Sequence, residues 1–495
     1  MKKRYICLVL LTTLLASCRS IEKYENRNAY QIPVVPDRVP EKLAVPTVES
    51  VKEKEDSKAM KEFVNSKVLE HGNLSFYAVD VQSGKVIENY RGEIALTPAS
   101  VLKIITSATA LEVFGADTVL ETKVLYDGKL SKNGVLTGNI YIQGGGDPTL
   151  GSSGISIDRE EFLKNWIDAI KKIGIKTING NIIVLDDLFG YEGISGKWLW
   201  EDMGTNYGQG TYGISVFDNI YTLYLNTGIS GKKPEVIKTK PVIQGLVFDN
   251  QGLVMPGGKK NLYVRGIPLE NKRRIFGVVP QNKNGLTIQS DIPDPGLFLG
   301  QYFSYYLKRE NIKVNGEIKT ARLTSQRPKN PKVIAVTKSP PMSEIVRILL
   351  VKSDNHYTEH LYQLLEKTKG VNIEKFWEEK GIDVHSLTVR DGSGLSRGNT
   401  VSTKLLVEIL LYSKDELENL LPVAGKDGTV ALFLKNTPLD GKVRVKSGSM
   451  SGIQSYAGYV EKDGRTYAFA VVVNHWNGER SELRKKMENL LNTIF

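Results

Sequence analysis

The chain of 495 residues is 41% hydrophobic and 24% charged, an ordinary globular composition with room for about three domains. Its net charge of +11 is spread along the chain without a compact basic patch interleaved with aromatics. That argues against a nucleic-acid binder and suits an anionic wall or lipid surface. Only two cysteines occur, Cys7 and Cys18, so neither a disulfide framework nor a cysteine zinc site can form in the body of the protein.

The chain opens on the basic run Met1-Lys2-Lys3-Arg4, then an apolar run over 6–15 that is short for a membrane span. It ends in Leu15-Ala16-Ser17-Cys18, which resembles a bacterial lipobox. The resemblance implies a signal peptide over 1–17, cleavage before Cys18 and a lipid on that cysteine. Residues 18–56 carry Pro33, Pro36, Pro40 and Pro46 among charged residues and read as a tether, reaching roughly 35 Å as a coil.

Met60, Phe63, Val64 and Val68 recur at helical spacing and predict a helix over 57–70. Strands at 74–81 and 86–90 flank the turn Gln82-Ser83-Gly84-Lys85. The segment Thr97-Pro98-Ala99-Ser100-Val101-Leu102-Lys103 then enters an apolar helix. Beyond Gly115 short strands and turns dominate, with strands at 119–125, 138–143, 179–185, 242–254, 262–267 and 312–322. Helices are predicted at 160–173 and 297–307. After Pro340-Pro341, the residues Met342, Ile345, Val346, Leu349 and Leu350 form one apolar face of a helix that stops just before Ser353. A helix at 403–411, a hairpin at 453–461 and 465–474, and an amphipathic helix at 481–494 complete the chain.

Ser100 and Lys103 stand at i and i+3, a spacing that puts an amine within reach of a hydroxyl on one helix face. Burial of that helix would lower the lysine pKa through desolvation and let the neutral amine act as a base. The free N–H groups at the helix start favour an oxyanion. The pattern alone is weak. Ser20-Ile21-Glu22-Lys23 and Ser230-Gly231-Lys232-Lys233 share the spacing, although neither opens an apolar helix, and Ser100 could be a helix cap.

Three further stretches strengthen it. Ser353-Asp354-Asn355 supplies a hydroxyl for proton relay and an amide for a peptide carbonyl. Lys446-Ser447-Gly448 follows the short strand Val443-Arg444-Val445, where a cation can anchor a carboxylate and glycine lets a substrate backbone lie close to the strand edge. Asp391-Gly392-Ser393-Gly394-Leu395-Ser396-Arg397 forms a turn-rich loop before a helix.

Ser-x-x-Lys, Ser-x-Asn and Lys-(Ser/Thr)-Gly, in that order, are the set found in β-lactamases and penicillin-binding proteins. From about residue 57 to 495 the sequence resembles the class C low-molecular-mass penicillin-binding proteins, the D-alanyl-D-alanine carboxypeptidase/endopeptidase family. The resemblance implies an α+β fold: a serine β-lactamase-like transpeptidase-type domain carrying a large, mostly β, two-domain insertion. The roughly 250 residues between Lys103 and Ser353 exceed any loop and require inserted domains. The expected division is a catalytic domain of 57–122 and 340–495, an inserted domain of 123–148 and 236–339, and a nested one of 149–235.

The resemblance assigns roles residue by residue. Ser100 corresponds to the acylated nucleophile and Lys103 to its general base. Ser353 and Lys446 would pass the proton to the leaving amine, Asn355 would hold the acyl-side amide, and Ser447 would bind the terminal carboxylate. Gly448 keeps the strand edge open, and the N–H groups of Ser100 and Ser449 would form the oxyanion hole. Asp202, Tyr207, Arg397 and Met450 match a side-chain pocket, with Asp202 and Arg397 meeting the charged ends of a diamino acid. Arg397 could instead pair with Asp391. The family often has threonine at the positions of Ser447 and Ser449; serine keeps the hydroxyl.

The resemblance implies peptidoglycan stem peptides as substrate, covalent binding of β-lactams, a lipid-held place in the bacterial envelope or periplasm, and no cofactor or metal. His356-Tyr357-Thr358-Glu359-His360 spells the inverted zinc-protease pattern. It directly follows Ser353-Asp354-Asn355 with no third ligand near, so both histidines are expected to be structural. A β-lactamase, disfavoured by the insertion, and a non-catalytic peptidoglycan- or β-lactam-binding protein on the same fold are the alternatives.

Overall fold

The structure, a computed structural model, describes residues 56–495. The expectations of a signal peptide, of a lipid on Cys18 and of a tether fall essentially on residues 1–55 and lie outside the described residues. No helix among the described residues is long and apolar enough to cross a membrane.

Two antiparallel strands, β1 (Asn73–Asp80) and β2 (Val86–Tyr90), precede a central helix, α1 (Leu102–Phe114). Eleven of the thirteen α1 residues are buried, all ten from Leu102 to Leu111 and Phe114, so the helix runs through the interior rather than along a surface. Helix α2 (Met342–Lys352) stops where expected, because Ser353 takes left-handed backbone (φ 58°) as its C-cap. Asp354 then caps α3 (Asn355–Lys369), its carboxylate accepting the Tyr357 N–H at 3.0 Å. Ser353-Asp354-Asn355 is therefore both a helix-to-helix turn and a presentation of two polar side chains.

Helix α4 (Thr403–Tyr412) and strands β3 (Val443–Met450), β4 (Ile453–Lys462) and β5 (Arg465–Asn474) follow, and α5 (Arg480–Ile494) ends the chain. The tight turn Asp463-Gly464, both at positive φ, joins β4 to β5 in the manner favoured by twisted hairpins. The strands form one antiparallel sheet in the order β3-β4-β5-β1-β2. Residues 453–460 of β4 are all buried, since both faces of the sheet are covered. Leu483, Met487, Leu490 and Leu491 of α5 share a core with Phe76, Val445, Val460, Phe469 and Val471. Tyr459 reaches the opposite layer, donating to the Leu410 carbonyl of α4 at 2.6 Å. Strand β3 runs through Lys446-Ser447-Gly448 to Met450, so this motif lies within the strand, not after it as the alternation of 443–445 suggested.

The insertion leaves and returns side by side. Ser339 donates its N–H to Leu120 O at 2.8 Å, and Met342 its N–H to Thr118 O at 2.8 Å. A mixed sheet orders the strands Ile318–Thr320, Ile182–Leu185, Ile140–Gln143, Glu121–Tyr126 and Lys332–Lys338. Helices Glu161–Lys172 and Pro295–Arg309 pack on it around Trp166 and Phe303. The expected cut at 149 does not coincide with the sheets, because Ile182–Leu185 pairs in parallel with Ile140–Gln143. A second group is built between residues 220 and 291, from sheets ordered Glu235–Lys240, Ile220–Thr227, Lys283–Asp291 and Val247–Met255, Lys272–Pro280, Asn261–Gly266. The strands at 220–227, 235–240, 272–280 and 283–291 escaped the sequence reading; charged or glycine-broken runs mask the alternation of the last three, whereas 220–227 alternates in burial and was simply passed over.

Candidate active site

Three chain segments meet at the N-terminal end of α1. Ser100 lies in the short 3-10 turn Ala99–Val101 that leads into α1, and Ala99 before it is held at φ 51°, a conformation costly for a residue with a Cβ. Two contacts hold this turn. Ser455 Oγ on β4 donates to Pro98 O at 2.6 Å. Gly448 on β3 lies so close that a Cβ there would stand 2.7 Å from Pro98 O and 3.0 Å from Ser100 N. Glycine in the Lys-Ser-Gly motif thus brings the strand against the serine turn.

Lys103, fully buried on α1, donates at 3.1 Å to Ser100 Oγ, at 2.6 Å to Asn355 Oδ1 and at 2.6 Å to the Ser393 carbonyl. Burial pulls its pKa down to about 8, against the opposing pull of Asp391, Glu359 and Asp354. Lys446 is equally buried and donates at 2.8 Å to Ser353 Oγ and at 2.6 Å to Ser447 O. Desolvation and the neighbouring Lys103 push its pKa well below that of a free lysine. Ser100, Lys103, Ser353, Asn355 and Lys446 therefore share one cleft.

Strand β3 is an edge strand. Val445 N–H donates outward to Pro422 O at 2.9 Å, and Val443 O accepts the Ala424 N–H at 2.8 Å. By the two-residue repeat the N–H groups of Ser447 and Ser449 also face away from the sheet. Ser447 Oγ lies 2.8 Å from Thr429 Oγ1, while Ser449 is exposed and Met450 half-buried.

The pocket candidates are less closely gathered. Asn355 Nδ2 donates to the Tyr207 carbonyl at 2.8 Å, which brings the insertion to the cleft, and the Tyr207 ring is 42% exposed. Asp202 is buried, accepts the Leu199 N–H at 3.0 Å, and its pKa is raised by burial. Arg397 is exposed and donates to Ser451 O at 3.1 Å, beyond the end of β3, rather than pairing with Asp391.

Several residues quoted from the sequence have roles there that the sequence reading did not assign. Asp391 accepts the N–H groups of Gly394 at 2.8 Å and Ser396 at 2.6 Å, and Trp198 Nε1 at 2.7 Å. Glu359 accepts the N–H of Ser393 at 2.8 Å and that of Gly392 at 3.3 Å, which aims the Ser393 carbonyl at Lys103; burial raises its own pKa. The available signal was its place one turn after Asn355 on the same helix face. His360 is buried, its Nδ1 bonded to the His356 carbonyl at 2.8 Å and its Nε2 to Ser215 Oγ at 2.7 Å. Both of its ring nitrogens are thus engaged inside the protein, as a structural histidine requires. No cluster of metal-ligating side chains stands among the described residues.

A serine beside a buried lysine, a second serine-lysine pair and an open β edge define a serine peptidase of the penicillin-binding type. The D-Ala-D-Ala carboxypeptidase 3 (S13) family matches residues 57–494. The chain belongs to that family. It is 27% identical over 425 residues to a D-alanyl-D-alanine carboxypeptidase of Actinomadura sp. strain R39, covering 81% of this chain and 77% of that one. It is 24% identical over 453 residues to the D-alanyl-D-alanine carboxypeptidase DacB of Haemophilus influenzae, covering 86% and 91%. The crystal structure of penicillin binding protein 4 (dacB) from Haemophilus influenzae superposes with a TM-score of 0.77 at 22% identity, over 88% of this chain and 99% of that one.

Proposed function

We propose that the protein is a serine D,D-peptidase that cleaves D-Ala-D-Ala ends, or D-Ala-diamino acid cross-links, of peptidoglycan through an acyl-enzyme at Ser100. The observation that carries this reading is the Lys103 amine, buried and held between the Asn355 amide oxygen and the Ser393 carbonyl at 2.6 Å each. In the neutral amine both N–H groups serve those carbonyls, which leaves the lone pair facing Ser100 Oγ at 3.1 Å. Lys103 then takes the hydroxyl proton as Ser100 attacks the D-Ala carbonyl, and the C–N bond breaks. The proton reaches the departing amine through Ser353 and Lys446, whose 2.8 Å contact forms the second half of the relay.

The outward N–H of Ser449 and the N–H of Ser100 form the oxyanion hole in this reading. The edge of β3 receives the substrate as an added strand, with Ser447 and Lys446 at its terminal carboxylate and Asn355 at the acyl-side amide. Water releases the acyl group. Penicillin, which mimics the D-Ala-D-Ala end, acylates Ser100 stably. Asp202, Tyr207, Arg397 and Met450 contribute to selection of the side chain. The basic and apolar leader ending at Cys18 supports export and a lipid anchor in the bacterial envelope.

Digestion of purified muropeptides, with release of D-Ala or of uncrosslinked peptides read by mass, tests the activity. Labelled penicillin tests the nucleophile: wild type becomes covalently labelled, and Ser100→Ala does not. Covalent labelling of Ser100→Ala would remove Ser100 from its role.

A further inference from the structure

Next to the cleft lies a cavity of about 430 Å3 lined by Asn206, Tyr207, Lys260, Tyr263, Arg265 and Gln289, among others. Tyr207 links it to the catalytic groups. The carbonyl of Tyr207 takes the Asn355 side chain at 2.8 Å, and the same Asn355 holds Lys103 at 2.6 Å. The junction is tightly built. Gly204 packs so closely on the strand Asn261–Gly266 that a Cβ would stand 2.6 Å from Gly266 N and 2.9 Å from Arg265 Cα, and Ser290 Oγ donates to Gly204 O at 2.6 Å. The turn carrying Tyr207 is thereby fixed against Arg265.

Arg265 is the unusual member. It is only 8% exposed, yet no carboxylate among the described residues forms an ion pair with it; its side chain spends one N–H on the carbonyl of Val264 at 3.1 Å. The guanidinium sits 5.0 Å from the Tyr263 ring centroid and 5.9 Å from that of Phe276, which orients its plane, and Asp202 feels its charge without forming an ion pair with it. A nearly buried guanidinium with four unspent N–H donors matches a carboxylate, which it can bind through two parallel hydrogen bonds. Exposed Lys260 adds a second positive charge at the rim.

We propose that this cavity binds a carboxylate of the acyl-donor peptide upstream of the scissile bond, with Arg265 as its main partner and Lys260 as the outer one. The inference rests on the peptidase reading, because Asn355 is taken to hold the acyl-side amide, and the strand preceding that amide then runs past Tyr207. It makes the inserted sheets a specificity element that selects peptides bearing a free carboxylate over their amidated counterparts.

The test uses two peptides ending in D-Ala-D-Ala, one with a free carboxylate two residues before the acyl D-Ala and the other with that group as a primary amide. In wild type kcat/KM favours the carboxylate peptide. In Arg265→Met the ratio of the two kcat/KM values falls about tenfold, carried by KM, as expected for a lost charge-assisted contact. Lys260→Glu lowers it several-fold, and more at low salt. A wild-type ratio near one, or a ratio unchanged in both variants, overturns the proposal. If Arg265→Met fails to fold, shown by loss of penicillin uptake, Lys260→Glu on its exposed side chain decides alone. Failure of the underlying reading looks different: wild type would then cleave neither peptide and bind no penicillin.

Discussion

Two buried amines within one cleft set the chemistry at the scale of the residue. Burial lowers the affinity of both for a proton, and Lys103 lowers that of Lys446 further. The fall of the Lys103 pKa stops at about 8, because Asp391, Glu359 and Asp354 oppose it. As a base it must be neutral, so kcat/KM for acylation should rise roughly tenfold per pH unit below about 8 and level above it. Stopped-flow acylation by penicillin across pH measures this, and a flat profile would assign the base elsewhere. Lys103→Ala should slow acylation by about 10²- to 10⁴-fold with Ser100 intact. Of the two residues that hold the lysine, Asn355 was legible in the sequence and Ser393 was not, since it acts through its carbonyl and any residue type has one.

Elements decide how closely these groups approach. The Gly448 backbone of β3 lies against the Ser100 turn, and an added methyl would also meet Ser455 Oγ at 2.2 Å. Gly448→Ala should push the strand edge from the turn, cutting penicillin acylation by more than about 100-fold while costing about 1–3 kcal/mol of stability. Acylation rate and thermal midpoint, measured on one sample, separate the two effects. Helix α3 carries a different signature. Burial holds the pKa of His360 down to about 4, so the unfolded chain takes up a proton below about 6.5 while the folded one does not. Its contribution is complete above pH 6.5 and declines as pH falls toward 4, by about 3 kcal/mol in all. His360→Gln should therefore flatten the fall of the thermal midpoint between pH 6.5 and 4, whatever it does to the midpoint at pH 7.

At the scale of the whole molecule, two large cores stand apart among the described residues. One lies under the five-stranded sheet, around Phe469 and α5; the other fills the insertion, around Trp166. Trp166 is fully buried, donates to Thr337 Oγ1 at 2.8 Å and meets Phe162 and Phe303 edge to face. Trp166→Ala should cost about 3–5 kcal/mol in the insertion. Phe469→Ala should do the same in the catalytic domain. Calorimetry should show each variant lowering a different transition; a single transition lowered by both would mean that the cores unfold as one.

The sequence by itself determined the local elements that flank the site and the chemistry the site can do. The stop of α2 at Ser353, the β4–β5 hairpin, the apolar run of α1 and the order of the three motifs are all read over a few residues, where backbone preference and side-chain spacing act directly. The tertiary structure alone decided the partnerships. Pairing of Ile182–Leu185 with Ile140–Gln143, the Tyr207 carbonyl on Asn355, Trp198 on Asp391 and the guanidinium of Arg265 beside the cleft join residues far apart in the chain. Such contacts arise only when loop-closure entropy is offset by the burial of whole elements, a balance that no short stretch of sequence encodes.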